Sequence, residues 1–98
     1  MARNNTIIYS FRADNDFINI IDYHKTLGSI TRVRKIITAI EKKIDTLKDF
    51  APLGTFDIDY KKHYLTAENY KIYYTYDETN KLVMIHTIRH TSQEHLKA

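Results

Sequence analysis

Lys71, His86, Arg89 and His90 are the residues of this chain best suited to chemistry, and Tyr73 stands among them. A lysine within reach of a histidine and a tyrosine can hold a phosphate and move protons on and off oxygen. A cation beside an imidazole also lowers the histidine's pKa, favouring the neutral form that acts as a base. Strand arithmetic brings these residues together. If residues 77–80 form a hairpin loop, Tyr76 lies opposite Lys81 and Lys71 falls opposite His86. Alternation then sorts Lys71, Tyr73, Thr75, Leu82, Met84, His86 and Ile88 onto one open face, with His90 one step beyond Ile88. Tyr70, Ile72, Tyr74, Val83, Ile85 and Thr87 take the other face and are the expected core. The plainer alternative is a half-solvated sheet face, on which lysine and histidine are ordinary.

Other constellations carry less. His86, His90 and His95 do not form the H-E-x-x-H pattern, so neither a metal nor a cofactor is expected. Ser92 has only Glu94 nearby to orient a histidine, which is a poor triad. The two glycines, Gly28 and Gly54, serve as helix stop and turn rather than as a phosphate loop. Arg32, Arg34 and Lys35 open the second of two helices, where cations oppose the helix dipole. They read either as a solvated helix face or as a phosphate-contacting patch. Six of the eight tyrosines lie between Tyr60 and Tyr76. Most are expected to pack, and one or two on the open face could stack on bases.

These residues need elements to hold them. Ile7–Phe11 is a β-prone run bounded by polar residues, read as a first strand. Asp14 is the expected cap of a helix with Phe17, Ile18, Ile21 and Leu27 as its apolar stripe. Gly28 ends that helix and Ser29 caps the next. In the second helix Ile30, Val33, Ile37, Ile40, Ile44 and Leu47 recur at steps of three and four, with Ile36 widening the stripe. That stripe is too short for a coiled coil and reads as a helix packing on a sheet. Ala51-Pro-Leu-Gly54 stops the helix, and the period then changes to two. Strands are expected over 55–65, 70–76 and 82–89, with turns at 66–69 and 77–80 and a polar, mobile tail from Thr91. The predicted fold class is α+β. It has an N-terminal strand, a two-helix antiparallel hairpin and three antiparallel strands, the helices packing on one face of a curled four-stranded sheet.

Composition bounds the function. Ninety-eight residues suffice for one domain, here expected to span 1–98, and not for two independent cores. Hydrophobic residues make up 43% and charged ones 28%, with two Gly and one Pro, which excludes a disordered linker. No cysteine is present, so disulfide, thiolate and thiol chemistry are excluded. No apolar run approaches the ~20 residues of a membrane span, and the first residues lack a signal-peptide core. A soluble cytoplasmic protein with no membrane partner is expected. The net charge of +3 permits a nucleic-acid partner without demanding one.

Three segments resemble the RelE/ParE superfamily of toxins from type II toxin–antitoxin systems. They are the Pro52-Leu-Gly54 turn after a long helix, the strand Asn69-Tyr-Lys-Ile-Tyr-Tyr-Thr-Tyr76, and the final strand Leu82–Thr91 with its basic and histidine ending. The resemblance implies a small α+β toxin neutralised by a cognate antitoxin. RelE-like members cut mRNA on the ribosome without metal or cofactor, whereas ParE-like members poison DNA gyrase and lack the catalytic groups. On the RelE-like version, a translation-inhibiting mRNA interferase, His86 or His90 would be base or acid and Lys71 and Arg89 the stabilising cations. Lys61, Lys62 and His63, with Tyr73 and with Arg32, Arg34 and Lys35, would hold RNA phosphates and bases. No tyrosine follows Tyr76 and no arginine cluster follows Arg89, so such an endoribonuclease would depend on histidine. Leu82, Met84 and Ile88 would mark the surface the antitoxin covers. The favoured expectation is the mRNA endoribonuclease. The alternatives are a gyrase poison and a catalytically inactive interaction module on the same fold.

Overall fold

The chain turns from strand to helix at Ser10, whose hydroxyl serves both sides of the junction. It accepts a hydrogen bond from the Ala13 amide at 3.0 Å, capping the helix, and donates to the His86 carbonyl at 2.7 Å. The cap expected at Asp14 is therefore supplied four residues earlier, and Phe11 belongs to the helix. The computed structural model describes residues 4–91, so Ser92, His95 and the expected polar tail beyond Thr91 lie outside the described residues. Its elements are β1 (Thr6–Tyr9), α1 (Phe11–Thr26), α2 (Ile30–Thr46), a 3₁₀ turn (Ala51–Leu53), β2 (Thr55–Asp57), β3 (Lys62–Ala67), β4 (Tyr70–Asp77) and β5 (Leu82–His90).

The strands form one open sheet in the order β1-β5-β4-β3-β2, with β1 parallel to β5 and the other neighbours antiparallel. The α+β class holds. The sheet has five strands rather than four because the segment expected as one strand over 55–65 folds back on itself. Asp57 makes that turn: its carboxylate accepts from the amides of Asp59 and Tyr60, its carbonyl accepts from the Lys61 amide, and Lys61 takes a positive φ of 57°. The turn between β3 and β4 is tighter than the expected 66–69. Its two residues Glu68 and Asn69 both have positive φ, the conformation that matches the twist of a two-residue hairpin.

Both helices pack on one face of the sheet. Gly28 sits at φ +84° just past α1, where a residue with Cβ is disfavoured, and it lets the amides of Gly28 and Ser29 turn back to the carbonyls of Lys25 and His24. From α1 the buried residues are Ala13, Ile20 and His24, with Phe17 packed against them, whereas Ile18 and Leu27 are exposed. The true stripe therefore includes a histidine, which an apolar-residue search passes over. From α2, Ile36, Ile40, Ile44 and then Leu47 are buried, while Ile30 lies outside. They meet Leu65, Ala67, Ile72, Tyr74, Val83, Ile85 and Ile88. Each such aliphatic side chain contributes about 1.5–3 kcal/mol when fully buried.

The register of the last hairpin departs from expectation twice. Asp77 pairs with Leu82, so the loop is 78–81, one residue later at each end. Its carboxylate accepts from the amides of Thr79 and Asn80 and from the Asn80 side chain, and those bonds hold the acid below its ordinary pKa. This first shift is even and preserves the faces. A bulge then falls at Tyr73/Tyr74: Tyr74 pairs with Ile85 and Tyr73 with Thr87, leaving His86 as the extra residue. Beyond it Lys71 pairs with Arg89, not with His86. The bulge lets Ile85 and Ile88, three apart, both face the core, which strict alternation forbids. Ile88 is therefore buried, and the open-face position expected for it is corrected. Thr87, expected in the core, is only half-buried.

At the bulge β1 has ended, and the outer edge of β5 is served by α1 instead. The Asp16 carboxylate accepts from the Ile88 amide at 2.9 Å and from the Thr87 hydroxyl at 2.6 Å. An acidic side chain thus stands in for a strand carbonyl.

Candidate functional site

The face of the sheet away from the helices is paved with tyrosine. Tyr64 on β3 and Tyr73 on β4 are cross-strand partners with ring centroids 5.6 Å apart. Tyr60, in the β2–β3 turn, folds over Tyr73 at 4.7 Å. The Tyr73 hydroxyl donates to the Asp57 carboxylate at 3.2 Å. Tyr73 is consequently 0% exposed. It cannot stack on a base, and its expected role in RNA contact is corrected.

Two cations rest on this floor. Lys71 Nζ lies 4.6 Å from the Tyr64 ring centre and the Arg89 guanidinium 5.9 Å from that of Tyr60. They face each other across the β4–β5 ladder and are half-buried, a pair able to hold a carboxylate or phosphate oxygen. Lys62 points to the same face, since Tyr64 follows it by one alternation.

The histidines do not join them. His86, at the bulge, shares a 2.8 Å hydrogen bond through Nε2 with the Thr75 hydroxyl. Burial pushes its pKa down, and the Lys62 charge lowers it further. The lowered pKa expected here therefore has burial as its main cause, and the cation that contributes is Lys62 rather than Lys71. His90 pairs with Tyr70, a core residue of the helix side, and its ring meets that of Tyr70 edge-on at 5.1 Å. His90 and Arg89 therefore lie on opposite faces, and the expected quartet of Lys71, His86, Arg89 and His90 is divided.

The phosphate-binding set is dispersed as well. His63 turns to the helix face, where its ring packs against Phe56, Tyr74 and Tyr76. Lys61 is exposed in the turn, and Arg32, Arg34 and Lys35 are exposed on α2, across the sheet from Lys71. Of the apolar residues expected on the open face, Leu82 and Met84 are there, half-buried, beside Thr6 and Ile8 of β1. Ile88 is not.

A second polar constellation escaped the sequence reading. His24, 7% exposed, shares a 3.1 Å hydrogen bond through Nε2 with the Tyr70 hydroxyl, and its Nδ1 has no partner. Burial lowers its pKa, helped by the charges of Arg32 and His90. Burial likewise raises the Tyr70 pKa. The signal available in the sequence was His24 four residues after Ile20 on the buried stripe.

These depressed imidazoles carry a pH dependence of stability. The unfolded chain binds a proton at His24 and at His86 near pH 6.5, whereas the folded chain resists protonation of these two until lower pH. Stability is therefore greatest above that value and falls as pH drops through it. The unfolding midpoint of the wild type is expected to be lower at pH 5.5 than at pH 7.5. His24→Gln and His86→Gln should each flatten that difference when followed by circular dichroism. An unchanged slope in both variants would contradict the assignment.

Among the described residues no cluster of three metal-ligating side chains occurs, and no helix is long and apolar enough to cross a membrane.

Residues 7–95 match the family model described as the ParE toxin of the type II toxin–antitoxin system parDE. The chain belongs to the ParE toxin family. As a ParE-family toxin of a type II system it has a cognate antitoxin for a partner. Among solved structures the fold is similar to a chain of the chromosomal ParDE toxin–antitoxin system from P. aeruginosa. The match has a TM-score of 0.75 at 18% identity, covering 88% of this chain and 95% of that one. No curated protein matches the chain. The superfamily resemblance carried by the Pro52–Gly54 turn and the last two strands thus holds at the level of family and fold.

Proposed function

We propose that this ParE-family toxin acts by contact with DNA gyrase rather than by cutting RNA. The observation that carries the reading is the division of the candidate catalytic residues. Strand cleavage of RNA needs a base at the 2′-hydroxyl, an acid at the leaving oxygen and a cation at phosphorus, all within reach of one phosphodiester. Lys71 and Arg89 supply the cation on the open face. His90, across the sheet beside Tyr70, is not aligned with them, and His86 is engaged with Thr75. Tyr73, buried under Tyr60, offers no exposed ring to a base. The same face is suited to protein contact, since Ile8, Leu82 and Met84 form an apolar strip on it, at the opposite end of β5 from Arg89 and its partner Lys71. In this reading Leu82 and Met84 belong to the surface the antitoxin covers in the neutralised complex.

The test is growth arrest on expression without antitoxin. The double variant Lys71→Ala/His90→Ala is expected to arrest growth as the wild type does, with DNA damage induced. Relief of arrest together with loss of mRNA cleavage would overturn the proposal in favour of the endoribonuclease.

A further inference from the structure

The sheet ends at β2, whose outer edge pairs with no strand among the described residues. Such an edge offers amides and carbonyls to another strand. Its surroundings are apolar: Phe50, Leu53, Phe56 and Ile58 fall within nine residues of the chain and are each 49–76% exposed. They are exposed because the helical layer is narrower than the sheet. α2 packs mainly over β3, so Phe56, on the helix face of β2, rests on the His63 ring at 5.1 Å and is otherwise open. The edge is also fixed in advance. Asp57 pins the turn after it, accepting from the Asp59 and Tyr60 amides and the Tyr73 hydroxyl. The Tyr74 hydroxyl ties down Gly54 and Ala51 just before it. Docking onto a fixed edge loses little conformational entropy. The strip of Ile8, Leu82 and Met84 lies at the other side of the sheet, so the proposed function makes no use of β2.

We infer that the β2 edge joins two copies of this chain about a two-fold axis, so that the sheet of one copy continues into the other. Antiparallel pairing centred on Phe56 sets it against Phe56 of the second copy, and sets Thr55 against the second copy's Asp57. Thr55 and Asp57 share the open face, where their cross-strand partners are Tyr64 and Lys62. The Thr55 hydroxyl donates to the opposing Asp57 carboxylate, which keeps an acceptor position beside the three bonds it already takes. Two Asp57 carboxylates approach diagonally across the axis, and each is faced within its own copy by Lys62, which offsets their repulsion. The strand is thus complementary to itself in hydrogen bonding and in charge, which selects a second copy over an unrelated chain. The area agrees. Four side chains of this size and exposure offer roughly 400 Å² per copy. With the paired backbone the two copies bury on the order of 1,000 Å² in all, at the small end of specific interfaces. The dimer is therefore weak, with a Kd on the order of micromolar.

Analytical ultracentrifugation of the full chain alone, from about 1 to 300 μM, tests this. The mean mass is expected to rise with concentration from the 11.6 kDa of one chain toward twice that value. Phe56→Lys and Ile58→Lys should each weaken association at least about tenfold. Ile58 is 76% exposed, so its substitution leaves the fold intact even where Phe56→Lys disturbs the packing on His63. Ile18→Lys, at an equally exposed apolar position on α1, should leave association unchanged. Amide exchange within Thr55–Asp57 should slow as the wild type is concentrated and should not slow in Ile58→Lys. A single 11.6 kDa species at every concentration overturns the inference, as does association that Ile18→Lys weakens equally or that leaves the β2 amides unslowed. A chain that stays monomeric, with β2 exchange slowed only by added antitoxin or gyrase, gives the edge to that protein and overturns the inference too.

Discussion

Replacing Gly54 with alanine is expected to cost about 3 kcal/mol and to lower the unfolding midpoint by roughly 12–20 °C, although only one methyl group is added. Gly54 has an ordinary extended φ of −77°, so conformation is not the reason. A Cβ at this position would lie 2.5 Å from the Tyr64 carbonyl oxygen and 2.7 Å from the Tyr74 hydroxyl. Neither neighbour can yield. Tyr64 is held in the β3–β4 ladder, and the fully buried Tyr74 hydroxyl accepts from the Gly54 amide at 2.8 Å while donating to the Ala51 carbonyl at 2.6 Å. The 3₁₀ turn at Ala51–Leu53 is thereby fastened to the centre of the sheet. Gly28→Ala supplies the contrast, because its Cβ would meet nothing within 4 Å. There the cost is that of a positive φ alone, about 1–2 kcal/mol. Thermal melts of the two variants check the ranking, and equal losses would refute the steric account of Gly54.

Asp16→Ala is the second large effect, expected to cost about 2–3 kcal/mol. The substitution removes the acceptor of the Ile88 amide on the stretch of β5 that β1 does not cover, and it strands the Thr87 hydroxyl. Asp16→Asn keeps one carbonyl oxygen for the amide and should lose about half as much. Hydrogen exchange at Ile88 reads the effect directly. Its amide is expected to lose protection in Asp16→Ala while the Ile72 amide at the sheet centre keeps most of its own. Uniform loss at both would mean that Asp16 acts on global stability and not on the edge of β5.

The same stretch of β5 explains what the sequence concealed. The α2 stripe from Val33 to Leu47 and the Gly28 stop were legible because helix period and cap chemistry are local. The two final strands were legible for the same reason, each showing an unbroken β-prone run. The pairing between them was not local. It depends on a loop displaced by one residue, set by Asp77, and on a bulge at His86 beside the point where Ser10 and Asp16 replace β1 as partners of β5. One inserted residue moved Arg89 to the position opposite Lys71, carried Ile88 into the core and put His90 beneath the helices. Tyr73 was misread through a different cause. Alternation places it on the open face correctly, but its burial comes from Tyr60 in a turn that was read as continuous strand. His24 was overlooked because a histidine on an apolar stripe breaks the pattern that defines the stripe.

The division of those residues leads to the proposal that the toxin works by binding its target, and a side-by-side assay of purified protein tests it most directly. The wild-type chain and Lys71→Ala/His90→Ala are each added to DNA gyrase with supercoiled plasmid and ATP, and separately to translating ribosomes whose mRNA is read by primer extension. The account predicts accumulation of gyrase–DNA cleavage complexes by both proteins and intact mRNA with both. Cut mRNA with the wild type, abolished in the double variant, with gyrase unaffected, would contradict it.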